Sequence, residues 1–167
     1  MTTTISVRAA AVLLIGIAAT VPAVAEDLVG KANIVDGGTL LLAGKRIELA
    51  GIVAPEPGRM CSRPDASNFA CGQMATFALA GIVETQWVTC RPAGEGTGGE
   101  ATGGAGGTIR ATCRIGPYDI GAEMIRRGWA VADPSDPAAA AGNYAEIEAA
   151  ARAAGRGLWA GAAANRP

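Results

Sequence analysis

The stretch from Val35 to Glu56, VDGGTLLLAGKRIELAGIVAPE, decides how the chain is read. Apolar and polar residues alternate through TLLL and KRIEL, the pattern of half-buried β-strands. Asp36-Gly37-Gly38 and Ala43-Gly44 interrupt the alternation with small residues that accept the positive φ of tight turns. With DLVGKANI before it, the stretch is expected to form three consecutive strands ending before Pro55. The first turn also raises a chemical question, because an acid at a strand end, followed by glycines and a hydroxyl, could serve a metal or a phosphate.

The next segment, PEPGRMCSRPDASN, carries three prolines and is expected to be a loop. A helix is expected from Asn68 to Glu84, with Asn68 as its N-cap and Phe77 among small apolar residues. TQWVTCRP and TIRATCRIG are the fourth and fifth strands. Residues 93–107, AGEGTGGEATGGAGG, have the composition of a flexible linker. They lack the Lys-Ser/Thr that closes a phosphate loop and do not lead from strand to helix. Two further helices are expected, Ile120–Arg127 stopped by Gly128, and NYAEIEAAARAA ended by Gly155. Trp87, Trp129 and Trp159 sit among apolar residues and are expected to pack in the core. The order predicts an α+β barrel: a five-stranded Greek-key OB-fold with about three helices.

The first 25 residues stand apart. Arg8, the apolar run AAAVLLIGIAAT and AVA at Ala23–Ala25 have the layout of a cleaved secretory signal. The expected mature domain is 26–162, with residues 163–167 a disordered tail, in the periplasm or outside the cell. Four cysteines in that exported part favour two disulfides, and four cysteines allow three pairings. Cys61–Cys71 would close the irregular loop and Cys90–Cys113 would join two strands; each would add about 2–4 kcal/mol. No C-x-x-C spacing supports a metal site. Histidine is absent, which excludes Ser-His and Cys-His catalysis and histidine-ligated zinc. The net charge of −1 argues against tight, sequence-blind nucleic-acid binding, which needs many Lys and Arg contacts.

VDGGTL, KRIELAGIVAPE, ACGQMATFALAGIV, DIGAEMIRRGWAVAD and YAEIEAAARAAGRGLWAG occur in the order seen in the thermonuclease family, and the chain from Leu28 to Gly161 resembles that staphylococcal-nuclease-like OB-fold. The resemblance implies calcium-dependent phosphodiester hydrolysis. The family pattern is Asp-Gly-Asp-Thr at the first turn, Arg-x-x-Gly-Ile-Asp-x-Pro-Glu after it, and a later arginine before the fifth strand. Carboxylates hold Ca²⁺, a glutamate serves as general base, and two arginines hold the phosphate and stabilise developing charge.

On this chain the pattern mostly fails. Its second acid falls on Gly38, its third-strand arginine on Glu48, its later aspartate on Val53 and its second arginine on Thr108 or the glycine loop. Asp36, Thr39 and Glu56 keep the expected types, and Glu56 is the remnant of the general-base position. Arg46 points to the same face as Glu48 but is displaced by two strand residues, about 7 Å. It is expected to form a solvated or cross-strand charge pair with Glu48, and Arg110 and Arg114 to behave alike. A glutamate in place of the phosphate-binding arginine is repulsive, costing about 4 kcal/mol for like charges 4 Å apart at an effective dielectric of 20.

The expectation is therefore a non-catalytic, monomeric binding or accessory protein of the cell envelope, without a cofactor. Its partner would be a protein, a polysaccharide or an oligonucleotide. The enzymatic alternative is a weak or atypical calcium-dependent nuclease using Glu56, Asp36 and a relocated arginine. A structural reading makes the Gly-rich loop a contact element.

Overall fold

A computed structural model describes residues 26–93 and 107–160. The expected signal segment, most of the Gly-rich loop and the expected tail lie outside the described residues.

The chain alternates as its sequence pattern requires. Strand β1 (Leu28–Ile34) pairs antiparallel with β2 (Thr39–Leu42), and β2 with β3 (Lys45–Leu49). Ala43 and Gly44 both have positive φ, 51° and 75°, and make the two-residue β2–β3 turn. An alanine there carries a left-handed penalty of about 1 kcal/mol. Replacing Ala43 by Asn, which suits this turn, is expected to stabilise the fold by about 0.5–1 kcal/mol, read from the urea midpoint.

On its other side β1 pairs antiparallel with β7 (Trp87–Pro92), and β7 with β8 (Thr108–Ile115). Parallel pairing of β3 with β8, Arg46 opposite Thr108 through Leu49 opposite Ala111, closes the five strands into a barrel. Leu40, Leu42, Ile47, Leu49, Val88 and Ala111 point inward and are almost wholly excluded from solvent. Cys90 and Cys113 are direct β7–β8 partners, with Cα atoms 4.0 Å apart, and their disulfide lies inside this core. The adjacent residues, Thr89, Arg91 and Arg114, face the other side of the sheet and are not buried.

Two-residue strands extend the design: β4 (Ile52–Val53) pairs with β10 (Val131–Ala132), and β5 (Cys61–Ser62) with β6 (Asn68–Phe69). Strand β9 (Tyr118–Asp119) adds to β8. Helix α1 (Cys71–Val83) packs Ala75, Leu79 and Val83 on the barrel. Helices α2 (Ile120–Arg126), α3 (Pro137–Ala141) and α4 (Tyr144–Ala153) follow, then a 3₁₀ turn at Gly157–Ala160.

Four helices among the described residues exceed the expected three. The extra one, α3, is five residues long, and Asp136 caps it by accepting the Ala138 N–H at 2.8 Å, with Pro137 at its first position. Asn68 is not the α1 N-cap: it lies in β6 opposite Ser62, and Ala70 holds the cap position without a side-chain bond. The short β5–β6 pairing and the Cys61–Cys71 disulfide claim the residues before the helix. Helix α2 ends as expected, with Gly128 at φ 77°.

The expectation that all three tryptophans pack inside fails for Trp87. It is 63% exposed, and the Lys31 ammonium stands 5.9 Å from its ring centre. Trp129 and Trp159 do pack, against a satellite cluster of Cys61, Cys71 and Leu158. Arg152 stacks on Trp159 at 4.1 Å while bonding Glu148, whose other carboxylate oxygen accepts the Ala132 N–H at 2.7 Å. This charged network ties α4 to β10 and to the 3₁₀ turn.

Candidate functional site

The segments that carry Asp36 and Glu56 both pack against the start of α1, the first through Gly37 and Ala75 and the second through Gly72. Asp36 Oδ1 accepts the Gly38 N–H at 2.9 Å, and Val35 and Asp36 N–H groups bond Thr39 O at 3.0 and 3.2 Å. Neither Gly37 nor Gly38 has positive φ, so conformational freedom is not why glycine occupies this turn. Space is the reason at Gly37. A methyl group there would lie 2.7 Å from Ala75 Cβ in α1 and 3.2 Å from Ala54 Cβ. A methyl at Gly38, by contrast, would make ordinary contacts, 3.6 Å to Ala54 Cβ and 3.9 Å to Asp36 Oδ1.

Glu56 is reached through the same junction. Its carbonyl accepts the Arg59 N–H at 2.8 Å, and the first turn of α1 backs directly onto it at Gly72. Arg59 O in turn accepts the Gly72 N–H at 3.2 Å. The Cys61–Cys71 bridge links the far end of this loop to the helix start. Asp36 and Glu56 thus stand on segments that meet through Ala54, Gly37 and α1, and the Glu56 side chain is exposed.

The positions where the resemblance expects other residues are located as well. Glu48 lies opposite Thr39 across β2–β3 and is exposed, while Thr39 is buried. Gly38 O accepts the Leu49 N–H at 2.8 Å, which fixes the turn to the end of β3. Val53, 42% exposed, pairs with Val131 in the β4–β10 ladder. Thr108 is the β8 partner of Arg46.

Arg46 is where the sequence reading needs correction. Its Nη2 sits 3.5 Å from Asp36 Oδ2, with the arginine 44% and the aspartate 22% exposed, so its partner is Asp36 and not Glu48. Strand parity gave its face correctly, but a long side chain spans the two-residue displacement that its backbone does not. Arg110 and Arg114 depart from expectation too. Arg110 Nη2 bonds Asp136 Oδ2 at 2.6 Å and lies 3.8 Å from Asp133. Asp136 is buried and also accepts the Gly51 N–H at 2.9 Å, so it ties the start of α3 to the segment between β3 and β4 and to Arg110 on β8. Arg114 donates to Pro117 O at 2.6 Å within its own hairpin. Asp133 is held below the usual carboxylate range, first by the Ser135 hydroxyl and N–H and then by the Arg110 charge.

The calcium ion implied by the resemblance does not fit these residues. Ca²⁺ takes six to eight oxygens, several of them carboxylate. Here Asp36 is already engaged on both oxygens, Gly38 has no side chain, and Val53 offers no donor. Among the described residues no group of three or more His, Cys, Asp or Glu is arranged to hold a metal.

Open grooves occur elsewhere. One, of about 280 Å³, is lined by Arg63, Phe69, Met74 and Trp129. Another, of about 270 Å³, lies between α1 and α2 beside Tyr118 and Glu123. Burial pushes the Glu123 carboxyl up, yet its bonds to Arg127 and Arg126 outweigh that and hold it low.

No family model matches the chain. It is similar to the succinoglycan biosynthesis protein ExoI of Rhizobium meliloti (strain 1021), 30% identical over 137 residues. The similarity covers 81% of this chain and 66% of that protein, so the chain spans just under two thirds of its relative's length.

Proposed function

We propose that the chain is an exported thermonuclease-like OB barrel whose hydrolytic site is out of use, acting as a binding or accessory protein of the cell envelope. The observation that carries this reading is the state of the first turn. Its one acid is neutralised by Arg46, the neighbouring position has no side chain, and Glu48 stands where a phosphate-binding arginine is needed. An arginine contributing to a phosphoryl transition state is worth about 10³–10⁵ in rate in NTPases, and its replacement by an acid adds repulsion. The closed five-stranded barrel with α1 after the third long strand supports the nuclease-like topology. Two disulfides and no free cysteine among the described residues suit an oxidising compartment. No helix there is long and apolar enough to cross a membrane. The similarity to a protein named for succinoglycan biosynthesis favours polysaccharide assembly as the process and a polysaccharide over an oligonucleotide as the partner.

The second reading, a weak calcium-dependent nuclease, draws on Asp36 and Glu56 sharing one junction. A cleavage assay on oxidised protein with single-stranded DNA and RNA separates the two. The expected result is no cleavage above the level of Glu56→Ala, with or without Ca²⁺. Calcium-dependent cleavage that Glu56→Ala abolishes would establish the second reading.

A further inference from the structure

We propose that Arg46 is this chain's built-in replacement for a bound cation at the β1–β2 turn, and that it makes the turn selective against divalent metal. The inference rests on the thermonuclease-like reading of residues 36–39. Asp36 Oδ1 is committed to the Gly38 N–H at 2.9 Å, and Oδ2 faces Arg46 Nη2 at 3.5 Å. The carboxylate therefore has its positive partner from within the fold. That partner is covalently part of β3, so no chelator removes it.

Steric closure does not explain the selectivity. A Cβ at position 38 is accommodated, 3.9 Å from Asp36 Oδ1 and at ordinary contact with Ala54 Cβ. What stands against a metal, once acids are present, is the guanidinium. An incoming divalent ion must displace Arg46 from Asp36 or bind next to its charge. The closing register of the barrel keeps Arg46 at this place, since its strand is hydrogen-bonded to β2 on one side and to β8 on the other.

The test restores the acids and then varies position 46. Gly38→Asp/Val53→Asp, the same pair with Arg46→Gln, and the same pair with Arg46→Lys are titrated with Ca²⁺ by calorimetry, after thermal unfolding shows each to be folded. With Arg46 present, binding is expected to be weak. Arg46→Gln is expected to tighten it by about tenfold or more, and Arg46→Lys, which keeps the charge, to return it towards the weak value. Equal affinities with Arg46 retained and with Arg46→Gln, including no binding in either protein, would overturn the proposal. Calcium-dependent cleavage by the unmodified protein would instead overturn the reading of lost hydrolysis, so the two failures are distinguishable.

Discussion

Replacing Gly72 with alanine is expected to destabilise the protein by about 3 kcal/mol or more, the upper end for overpacking. A methyl group at this position would lie 1.7 Å from Glu56 O, 2.7 Å from Glu56 C and 2.9 Å from Pro57 C. All three are backbone atoms, so no rotamer change relieves the clash. Helix α1 would have to lift from the 56–57 segment, disturbing the Gly72 N–H to Arg59 O bond and the placement of Glu56. The same helix provides its own control. Gly81 is exposed and has no atom within 4 Å of an added methyl, so Gly81→Ala is expected to stabilise by about 0.5–1 kcal/mol through helix propensity alone. Chemical denaturation of the two variants should move the midpoint in opposite directions.

The second large effect lies at Tyr144, whose side chain is 1% exposed at the start of α4. Its ring fits against Gly51 and Gly121, where added methyls would come within 2.9 Å of Cε2 and 2.8 Å of the hydroxyl. The hydroxyl donates to Asp119 Oδ1 at 2.8 Å, and the same oxygen accepts the Ala122 N–H at 2.9 Å as the cap of α2. Tyr144→Ala is expected to cost about 3–5 kcal/mol, the range for truncating a buried aromatic. Tyr144→Phe keeps the shape and removes one charge-assisted bond, an expected loss of about 1.5–3 kcal/mol.

Tyr144 also carries a pH signature. Burial, then the Asp119 charge, raise the phenol well above its ordinary value. Below about pH 10 folded and unfolded chains both hold the proton. Above that, the unfolded chain releases it and the folded chain does not, so stability falls as pH rises, by up to about 1.4 kcal/mol per unit. Tyr144→Phe is expected to start less stable at pH 8 and to lose less between pH 10 and 11.5. Parallel urea curves that fall equally for both proteins would contradict this.

Much of the barrel was legible because period-2 alternation survives in β1, β2, β3, β7 and β8 and the Ala43-Gly44 turn has a local signature. The same alternation placed Trp87 out of phase with Val88 and Cys90, so its exposure was readable from strand parity, and its apolar neighbours misled. Asn68 shows the limit of local capping rules: pairing to Ser62 and the Cys61–Cys71 bridge outweigh a favourable cap residue. Helix α3 was missed because five residues give no periodicity, although Asp136-Pro137 was a usable start signal. At the candidate site, residue types could be read position by position. The Arg46–Asp36 pairing could not, because parity fixes a face while the reach of a long side chain is settled only in three dimensions. The choice of glycine at 37 and 72 depends likewise on tertiary approach, to Ala75 and to Glu56, that no local pattern encodes.

Thermal unfolding of the unmodified, oxidised protein in excess Ca²⁺ and in EDTA reads directly whether the first turn holds a metal. A site occupied at 100 times its Kd would stabilise the fold by ~2.7 kcal/mol, raising Tm by roughly 5–10 °C for a chain of this size. With Asp36 held by Arg46 and no acid at positions 38 and 53, the two Tm values are expected to agree within about 1 °C. A calcium-dependent rise of about 5 °C or more would contradict the proposal that this turn holds no metal.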